Sequence, residues 1–333
     1  MREVILRPVA LAYEGITTLR NYLYDKNVLR SEKAELPIIC VGNLTVGGSA
    51  KTPLSIYLCM QLKGRGYAPV VVTRGYGGRI SGPHLIGAED TAEIAGDEPL
   101  MISSKAQVPV VVARDRAAGA KFVSERKLGD CIVLDDGLQH RRLKRDLNIL
   151  SINVGSEKAI EDFRRAKLLP LGPFRENRDK ALHRIQIAVF SERKTTPPPE
   201  SRHELAALLP PEIKIFRSYF KAKGVYAIDS LVQLKPCKAA AFCGIANPQG
   251  FFESLRSEGF ELMGGEVYSD HFKFRSSHLE RLRRDFPGLP LICTEKDAVR
   301  LQGLDCGSIC RFETDLEVVN GEGLLNAVMA VMQ

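Results

Sequence analysis

The spacing of apolar residues along the chain predicts alternating strands and helices. Short runs rich in Val, Ile and Leu alternate with stretches of helical periodicity or of loop composition. The runs that fit strands lie at 37–41, 70–73, 108–113, 131–134, 147–152 and 185–190. Because strands separated by helices usually pair in parallel, this pattern predicts an α/β core with a mostly parallel sheet over about 31–220.

The last third of the chain predicts a second, smaller α/β domain over 221–333. The apolar runs at 239–243 and 289–294 fit strands, and the spacing at about 248–258 fits a helix between them. A strand and helix order of this kind is again typical of an α/β unit.

A linker is expected between the two domains. Apolar and polar residues alternate from 216 to 234 around Ala222-Lys223-Gly224, which predicts a hairpin-like connection. The threonine- and proline-rich run at 195–199 predicts a surface loop before it.

The first thirty residues predict a basic amphipathic helix. Apolar residues recur every three or four positions, at Ile5, Val9, Tyr13, Ile16, Leu19 and Leu23. Basic residues surround them, at Arg2, Arg7, Arg20, Lys26 and Arg30. Such a helix can lie in the plane of an anionic bilayer with its apolar stripe buried. The alternative is a first helix that packs on its own domain.

Composition narrows the class of protein. In a chain of 333 residues, 44% hydrophobic and 26% charged residues are typical of globular proteins and exclude a disordered, collagen-like or coiled-coil chain. The net charge of +7 is too small to indicate a nucleic-acid partner, but it suits an anionic ligand or a membrane surface. No run approaches the roughly 18 apolar residues of a membrane-spanning helix, so a soluble or peripheral protein is expected.

The eight cysteines are expected to be reduced thiols. None belongs to a C-x-x-C pair, and several lie inside apolar runs. Cysteines in this arrangement are typical of reduced core thiols in a cytosolic compartment.

A glycine-rich loop follows the first predicted strand and precedes an apolar-periodic stretch at 54–62. Its residues are Thr45, Val46, Gly47, Gly48, Ser49, Ala50, Lys51 and Thr52. In a phosphate-binding loop, the backbone N–H groups of 47–51 would hold phosphates, Lys51 would reach the terminal phosphates and Thr52 would bind magnesium. Thr45 and Ala50 replace the two glycines of the usual G-x-x-x-x-G-K-[ST] pattern. A glycine turn that happens to precede Lys-Thr is the alternative interpretation.

Two carboxylates supply the second half of a nucleotide site. The apolar strand at 131–134 ends in Asp135 and Asp136. The carboxyl ends of parallel strands meet at one edge of a sheet, so both residues are expected in the same crevice as the loop. Either one could hold magnesium. Together the loop and the acidic pair predict a site for a nucleotide with Mg²⁺.

Eight ordered segments of the chain resemble one known family. They are GNLTVGGSAKTP at 42–53, TRGY at 73–76, GDEP at 96–99, DDGLQHR at 135–141, LLPLGPFRE at 168–176, FCGIANP at 242–248, SDHF at 269–272 and TEKDA at 294–298. This order resembles the tetraacyldisaccharide 4′-kinase, or lipid A 4′-kinase, family of Gram-negative bacteria. That family lacks the first glycine of the usual loop, which accounts for Thr45, whereas Ala50 replaces a family glycine.

The resemblance implies an activity and a location. The chain would use Mg-ATP to phosphorylate the 4′-hydroxyl of a tetraacyldisaccharide 1-phosphate, forming lipid IVA in lipid A biosynthesis. It would work at the cytoplasmic face of the inner membrane as a peripheral protein, with the N-terminal helix touching the bilayer. The acceptor cleft would lie between a P-loop kinase core and the smaller domain, and no obligate protein partner is expected.

The resemblance also assigns roles to residues outside the loop. It makes Asp97 the general base and places His271 in support of it from the other domain, with the two approaching when the domains close. On residue pattern alone, Gly-Asp-Glu-Pro is ordinarily a turn and a lone histidine is usually structural. By their position just after the acidic pair, Gln139 and His140 are candidates to touch the nucleotide or the acceptor. Weaker candidates, for an acceptor phosphate or for ordering of the site, are Arg116, Arg175 and Glu176.

Two other functions stay open from the sequence. A membrane-associated regulatory P-loop ATPase also combines such a loop with an amphipathic helix, but it would not require the segment around His271. A kinase of another glycolipid or of a nucleoside would share the nucleotide site and differ in its acceptor.

Overall fold

The computed structural model of the chain describes residues 2–192 and 199–332, so most of the predicted loop at 195–199 lies outside the described residues. The helices within these ranges are α1 (Arg2–Asp25), α2 (Lys51–Gly64), α3 (Ala92–Ala95), α4 (Asp97–Ala106), α5 (Arg116–Glu125), α6 (Glu157–Arg165), α7 (Arg178–Leu182), α8 (Pro199–Ala206), α9 (Pro248–Ser257), α10 (Ser276–Asp285), α11 (Glu295–Arg300) and α12 (Gly321–Met329). The strands are β1 (Ile38–Gly42), β2 (Pro69–Thr73), β3 (His84–Leu85), β4 (Val110–Val112), β5 (Cys131–Asp135), β6 (Leu147–Asn153), β7 (Ile187–Glu192), β8 (Lys214–Ala227), β9 (Gln233–Leu234), β10 (Lys238–Cys243), β11 (Glu261–Val267), β12 (Leu291–Thr294) and β13 (Ile309–Val319).

One continuous sheet runs through the described parts of the chain. Its strand order is β11-β10-β12-β13-β8-β7-β6-β1-β5-β2-β4-β3, with β9 paired to β8. The antiparallel pairs are β8 with β13, β8 with β9, and β3 with β4, and the other pairs are parallel. The predicted α/β class with a mostly parallel sheet is therefore confirmed.

Strand β1 lies at the centre of the first half of the sheet, between β5 and β6. All of its residues are buried because helices cover both faces. Side chains alternate along the strand, so Ile38 and Cys40 pack in one apolar layer and Ile39 and Val41 in the other. This arrangement fixes the loop that follows β1 beside the end of β5.

Strand β8 joins the two halves of the sheet without a turn at 222–224. It pairs in parallel with β7 and in antiparallel with β13. The predicted hairpin at 222–224 is wrong, because Lys223 is an extra residue opposite the step from Glu313 to Thr314. Gly224 has φ +138° and provides the backbone freedom that this β-bulge needs. The chain reverses later, between β8 and β9.

The last helix packs across the predicted domain boundary. The buried apolar clusters of the second half of the sheet begin at Val225. Leu324 and Val328 of α12, however, share an apolar cluster with Leu54 and Leu58 of α2. The C-terminal helix therefore supports the helix that carries the glycine-rich loop, although it follows the smaller unit in the sequence.

Helix α1 confirms the predicted N-terminal helix, and polar residues join Ala10 on its buried face. Thr17 and Asn21 are buried, whereas large apolar side chains are exposed at Val9, Leu11, Ile16, Leu19 and Tyr22. Tyr13 and Leu23, which the periodicity places on the apolar stripe, are half-buried instead. The side chain of Ile5 lies outside what the structure describes. Within the described ranges, no helix has the length and apolarity to cross a membrane.

All eight cysteines are free thiols, as the sequence predicts. Seven of them are buried and Cys237 is half-buried, so they serve as small apolar core residues.

Candidate active site

The glycine-rich loop runs from the end of β1 to the start of α2. Side chains of β6 bind two of its carbonyl oxygens: Ser151 Oγ donates to Ser49 O, and Asn153 Nδ2 donates to Gly48 O at 3.0 Å. On the other side of the loop, Val46 N donates to Pro173 O at 2.8 Å. The first N–H groups of α2, which begins at Lys51, have no partner within the helix. The loop is thus held from both sides at the positive end of a helix, as an anion site requires.

Ala50 takes the conformation that favours glycine. It caps α2 with φ 59° and ψ 23°, in the left-handed region. The loop therefore forms with alanine at this position, at a cost of roughly 1–2 kcal/mol for a residue with a Cβ.

We expect Ala50→Gly to raise the free energy of unfolding by about 1 kcal/mol, because glycine adopts positive φ without this steric cost. Denaturant unfolding of the purified protein measures the change. The matched control is Ala118→Gly in the first turn of α5, where the backbone is helical and the same substitution should lower stability by about 0.5–1 kcal/mol. Equal losses at both positions would contradict a strained Ala50.

Asp135 and the first turn of α2 form a buried oxygen cluster. Asp135 is fully buried and accepts hydrogen bonds from Thr52 Oγ1 at 3.1 Å and Ser55 Oγ at 2.8 Å. Burial, together with the neighbouring Glu98 carboxylate, raises the pKa of Asp135 to about 7. A carboxylate in this setting gains from a bound cation. Sequence reasoning missed Ser55, because it lies inside the predicted helix at 54–62 and belongs to no recognised motif.

Asp136 has a different environment from its neighbour. Its backbone has φ 52°, and its carboxylate receives Arg175 Nη1 at 3.1 Å and Arg175 Nη2 at 2.9 Å. Lys51 Nζ lies 3.7 Å from Asp136 Oδ2. Burial would raise the pKa of Asp136, but Lys51 and Arg175 outweigh it and hold that pKa below its usual range. Asp136 is thus ionised and fixed beside the lysine of the loop.

The donor set fits magnesium. Carboxylate and hydroxyl oxygens are its preferred protein ligands, and it commonly takes one or two carboxylates together with substrate phosphates. Thr52, Asp135 and Asp136 supply such oxygens beside the loop. Within 2–192 and 199–332, no three His, Cys, Asp or Glu side chains are grouped to hold a metal by themselves.

Asp97 and His271 meet at the other side of the site. Asp97 is buried at the start of α4, and its Oδ2 lies 3.0 Å from His271 Nδ1. The same oxygen accepts from Arg300 Nε at 2.8 Å and from Arg300 Nη2, and Lys296 Nζ lies 3.8 Å away. The ring of Tyr76 lies beside His271, with centroids 5.3 Å apart. The structure therefore brings together the two residues that the sequence pairs.

The positive groups around Asp97 keep it charged. Burial would raise the pKa of Asp97, but the hydrogen bond from His271 and the charges of Lys296 and Arg300 lower it well below its usual range. Glu98 interacts electrostatically with both Lys296 and Lys51, so the phosphate loop and the Asp97 cluster form one electrostatic site.

Sequence reasoning missed Arg300 and gave Lys296 no role. The TEKDA segment at 294–298 is the signal that could have found them, since it carries Lys296 and is followed two residues later by Arg300. Their contacts with Asp97 span about 200 residues of sequence, 203 for Arg300. Local spacing gives no indication of such a contact.

Tight backbone packing holds Asp97 in place. A Cβ on Gly96 would lie 2.7 Å from Tyr76 O, and a Cβ on Gly75 would lie 2.8 Å from Ala95 O. Glycine is therefore needed where the TRGY and GDEP segments cross.

Three of the residues that the sequence assigns to the acceptor or to ordering of the site form hydrogen bonds within the site. Glu176 is fully buried and accepts from Gln139 Nε2 at 3.0 Å and from Arg184 Nη2 at 2.7 Å. Arg175 binds Asp136 in a bidentate pair. Contact of these residues with the acceptor stays a prediction.

The other two assigned residues pack behind Asp136. Arg116 is buried, and its Nη2 donates to Asp136 O at 3.4 Å. His140 Nε2 accepts from Arg116 N at 3.2 Å. Burial and the charge of Arg116 lower the pKa of His140 to about 4, so this histidine is neutral near pH 7. Their contact with the nucleotide or acceptor likewise stays a prediction.

A phosphate loop with its lysine, an acidic pair at the end of the adjacent parallel strand and a buried Asp–His contact together define a P-loop phosphotransferase. Comparison with known proteins specifies which one. The model of the LpxK family, tetraacyldisaccharide-1-P 4′-kinase, matches residues 2–333. The chain belongs to this family and is a kinase of lipid A biosynthesis.

Individual relatives agree with the family match. The tetraacyldisaccharide 4′-kinase of Psychromonas ingrahamii is 34% identical over 304 residues, which cover 89% of this chain and 85% of the relative. That of Shewanella denitrificans is 37% identical over 297 residues, covering 89% and 83%. The crystal structure of LpxK from Aquifex aeolicus in complex with ATP superposes with a TM-score of 0.80 at 28% identity over the whole of both chains. These matches favour the kinase over the regulatory ATPase.

Proposed function

We propose that the site transfers the γ-phosphate of ATP to the 4′-hydroxyl of a tetraacyldisaccharide 1-phosphate, with Asp97 as the general base. The observation that carries this proposal is the position of the Asp97 carboxylate, which lies at the start of α4 and is oriented by His271 Nδ1 at 3.0 Å and Arg300 Nε at 2.8 Å from the second half of the sheet. Phosphoryl transfer needs positioned phosphates, neutralised charge and an oriented nucleophile. The two sides of the site can supply these needs.

On the nucleotide side, Lys51 would contact the β- and γ-phosphates while the N–H groups of 47–51 hold them in the loop. Thr52 with Asp135 or Asp136 would hold Mg²⁺, which when bound neutralises charge on the phosphates. The hydrogen bond from Thr52 to Asp135 favours Asp135 as the carboxylate nearest the metal, because Asp136 is already paired with Arg175.

On the acceptor side, Asp97 would take the proton of the 4′-hydroxyl while the bond from the 4′-oxygen to the γ-phosphorus forms. The bond between the γ-phosphorus and the β–γ bridging oxygen would break in the same step, and ADP would leave. Its Oδ2 is bound by His271 and Arg300, whereas Oδ1 accepts the Glu98 N–H at 3.0 Å and has a further lone pair for a hydroxyl. His271 fixes the orientation of the carboxylate.

The two units 31–220 and 221–333 would form the walls of the acceptor cleft. Asp97 comes from the first unit and His271 from the second, and the structure describes the arrangement in which they touch. Separation of the units would break this contact, so domain closure would complete the site.

Transfer of label tests the proposed reaction. With γ-labelled ATP and a tetraacyldisaccharide 1-phosphate in detergent micelles, label should appear in the glycolipid. Label that appears in free phosphate alone would contradict the proposal.

We further propose that the exposed apolar face of α1 lies on the cytoplasmic surface of the inner membrane, which would make the protein peripheral. Ile16 and Leu19 are 69% and 58% exposed on this face. An interfacial helix buries such side chains among lipid headgroups and acyl chains. This position would bring the site close to a glycolipid acceptor whose acyl chains stay in the bilayer.

We expect the double variant Ile16→Glu/Leu19→Glu to bind anionic lipid vesicles at least about tenfold more weakly, because each change removes apolar burial and adds a charge. Cosedimentation with vesicles measures binding. The matched control is Ser277→Glu/Gln302→Glu, which adds the same two charges at exposed polar positions and should bind as the wild type does. Equal binding by all three proteins would contradict the docking of α1.

A further inference from the structure

Helix α1 reaches the active site through two hydrogen bonds. Asn21 Nδ2 donates to Glu176 Oε2 at 2.7 Å, and Tyr13 Oη donates to the carbonyl oxygen of Arg175 at 2.8 Å. Asn21 is 6% exposed and Glu176 is 0% exposed, so water does not compete for the first of these bonds. The helix therefore contacts two consecutive residues of the LLPLGPFRE segment.

Glu176 depends on its hydrogen bonds to remain buried as an anion. A buried carboxylate is costly unless its oxygens are satisfied. Oε2 accepts from Asn21 and from Arg184 Nη2, and Oε1 accepts from Gln139 Nε2. Burial would raise the pKa of Glu176, but these partners outweigh it and hold the pKa below its usual range.

The bonds continue from Glu176 to the phosphate loop. Gln139 Nε2 also donates to Asn43 O at 2.9 Å, in the short segment between β1 and the loop. Arg175 contacts the same residue through its guanidinium and forms the bidentate pair with Asp136, whose carboxylate lies 3.7 Å from Lys51 Nζ. A connected set of hydrogen bonds thus runs from Asn21 on α1 to Asp136, and an ion pair at 3.7 Å joins Asp136 to Lys51.

The buried face of α1 is better suited to holding active-site residues in position than to anchoring the protein on a membrane. A helix that served as a membrane anchor alone could pack on the protein through apolar residues. In α1, among the described side chains, the buried residues are the small Ala10 and the polar Thr17 and Asn21, whereas Ile16 and Leu19 are exposed. A buried hydrogen bond fixes the relative orientation of two side chains more strictly than apolar packing does.

We propose that Asn21 is a positioning residue of the kinase, which acts through Glu176 and Arg175 to hold Asp136 beside Lys51. This inference rests on the proposed roles of Asp136 and Lys51 in phosphoryl transfer. It makes α1 a structural part of the active site, in addition to its proposed place on the membrane.

Two substitutions remove the donor. Asn21→Leu keeps a similar volume, and Asn21→Asp places a second carboxylate against Glu176. Each should lower kcat about tenfold or more, because Asp136 and Lys51 would be less well positioned in the transition state. The KM for ATP should change by less than about threefold, because binding of ATP in the ground state is affected less. Steady-state phosphorylation of a tetraacyldisaccharide 1-phosphate in detergent micelles measures both constants.

Two further variants separate positioning from folding. The reversed pair Asn21→Asp/Glu176→Gln keeps one carboxylate, one amide and the net charge, and it should recover most of the kcat lost by Asn21→Asp. Tyr13→Phe removes a single hydroxyl at the surface of the network and should lower kcat by roughly 3- to 10-fold in a stably folded protein.

The matched control is Thr17→Val in the same buried face. The Thr17 hydroxyl donates to Tyr13 O and Glu14 O within α1, so its loss should leave kcat within about twofold.

The outcomes are distinct. Wild-type kcat in folded Asn21→Leu, Asn21→Asp and Tyr13→Phe would overturn the inference and leave the proposed function standing. Failure of the reversed pair to exceed Asn21→Asp would also overturn it, since the contact would then have no specific role. If the wild type forms no 4′-phosphorylated product, the proposed function fails and the inference falls with it.

Discussion

Replacing Asp97 by asparagine is expected to lower kcat by about 10²- to 10⁴-fold, the usual contribution of a general base. Asparagine keeps the shape of the side chain and can accept from Arg300 or His271, but it cannot take a proton. The affinity for ATP should change by less than about threefold, because Asp97 is bound by groups of α11 and His271 rather than by the phosphate loop. Turnover assays and calorimetric titration with ATP measure the two quantities.

A second Asp–His pair in the same chain offers a control for this prediction. His84 Nε2 lies 2.8 Å from Asp90 Oδ2, outside the electrostatic cluster of Lys51 and Glu98. Asp90→Asn should keep kcat within about threefold. Wild-type turnover in Asp97→Asn would show that another group accepts the proton, and Asp97 would then be an anchor for Arg300.

Replacing Lys51 by alanine is expected to lower kcat/KM for ATP by about 10²- to 10³-fold, comparable to the loss when one preorganised hydrogen-bond donor to a developing charge is removed. Unlike the Asp97 variant, it should impair use of the ATP phosphates themselves. It also leaves Asp136 with Arg175 but without its second positive neighbour. Steady-state kinetics at varied ATP concentration measure this effect.

The control for Lys51 lies on the same helix. Lys63→Met removes a positive charge from the last turn of α2, where the side chain binds Gln107 O at the surface. It should leave kcat/KM unchanged within about twofold. Wild-type kinetics in Lys51→Ala would show that the lysine of the loop has no role in the use of ATP.

At the acidic pair, the sequence predicts where the two carboxylates lie but not how their environments differ. Apolar periodicity locates β5 and places Asp135 and Asp136 at its end, but it cannot tell the two apart. The left-handed backbone at Asp136 turns that carboxylate to Arg175 and Lys51, while Asp135 stays in line with the strand and faces Thr52. Which residue takes positive φ depends on partners far along the chain.

The same limit explains the other differences. Arg300 and Asn21 hold Asp97 and Glu176 across 203 and 155 residues, distances over which local spacing carries no information. The segment Ala222-Lys223-Gly224 fits a turn and a β-bulge equally well, and pairing with β13 decides between them. The periodicity of α1 predicts a helix correctly, but which face is covered depends on the polar partners at 175–176.

The 4′-kinase activity is tested most directly by mass spectrometry of the glycolipid after incubation of the purified protein with Mg-ATP and a tetraacyldisaccharide 1-phosphate in detergent. The wild type should add one phosphate at the 4′ position, and Lys51→Ala should add none. Unmodified disaccharide in the presence of continuing ATP hydrolysis by the wild type would contradict this activity. That result would instead support another acceptor or a regulatory ATPase.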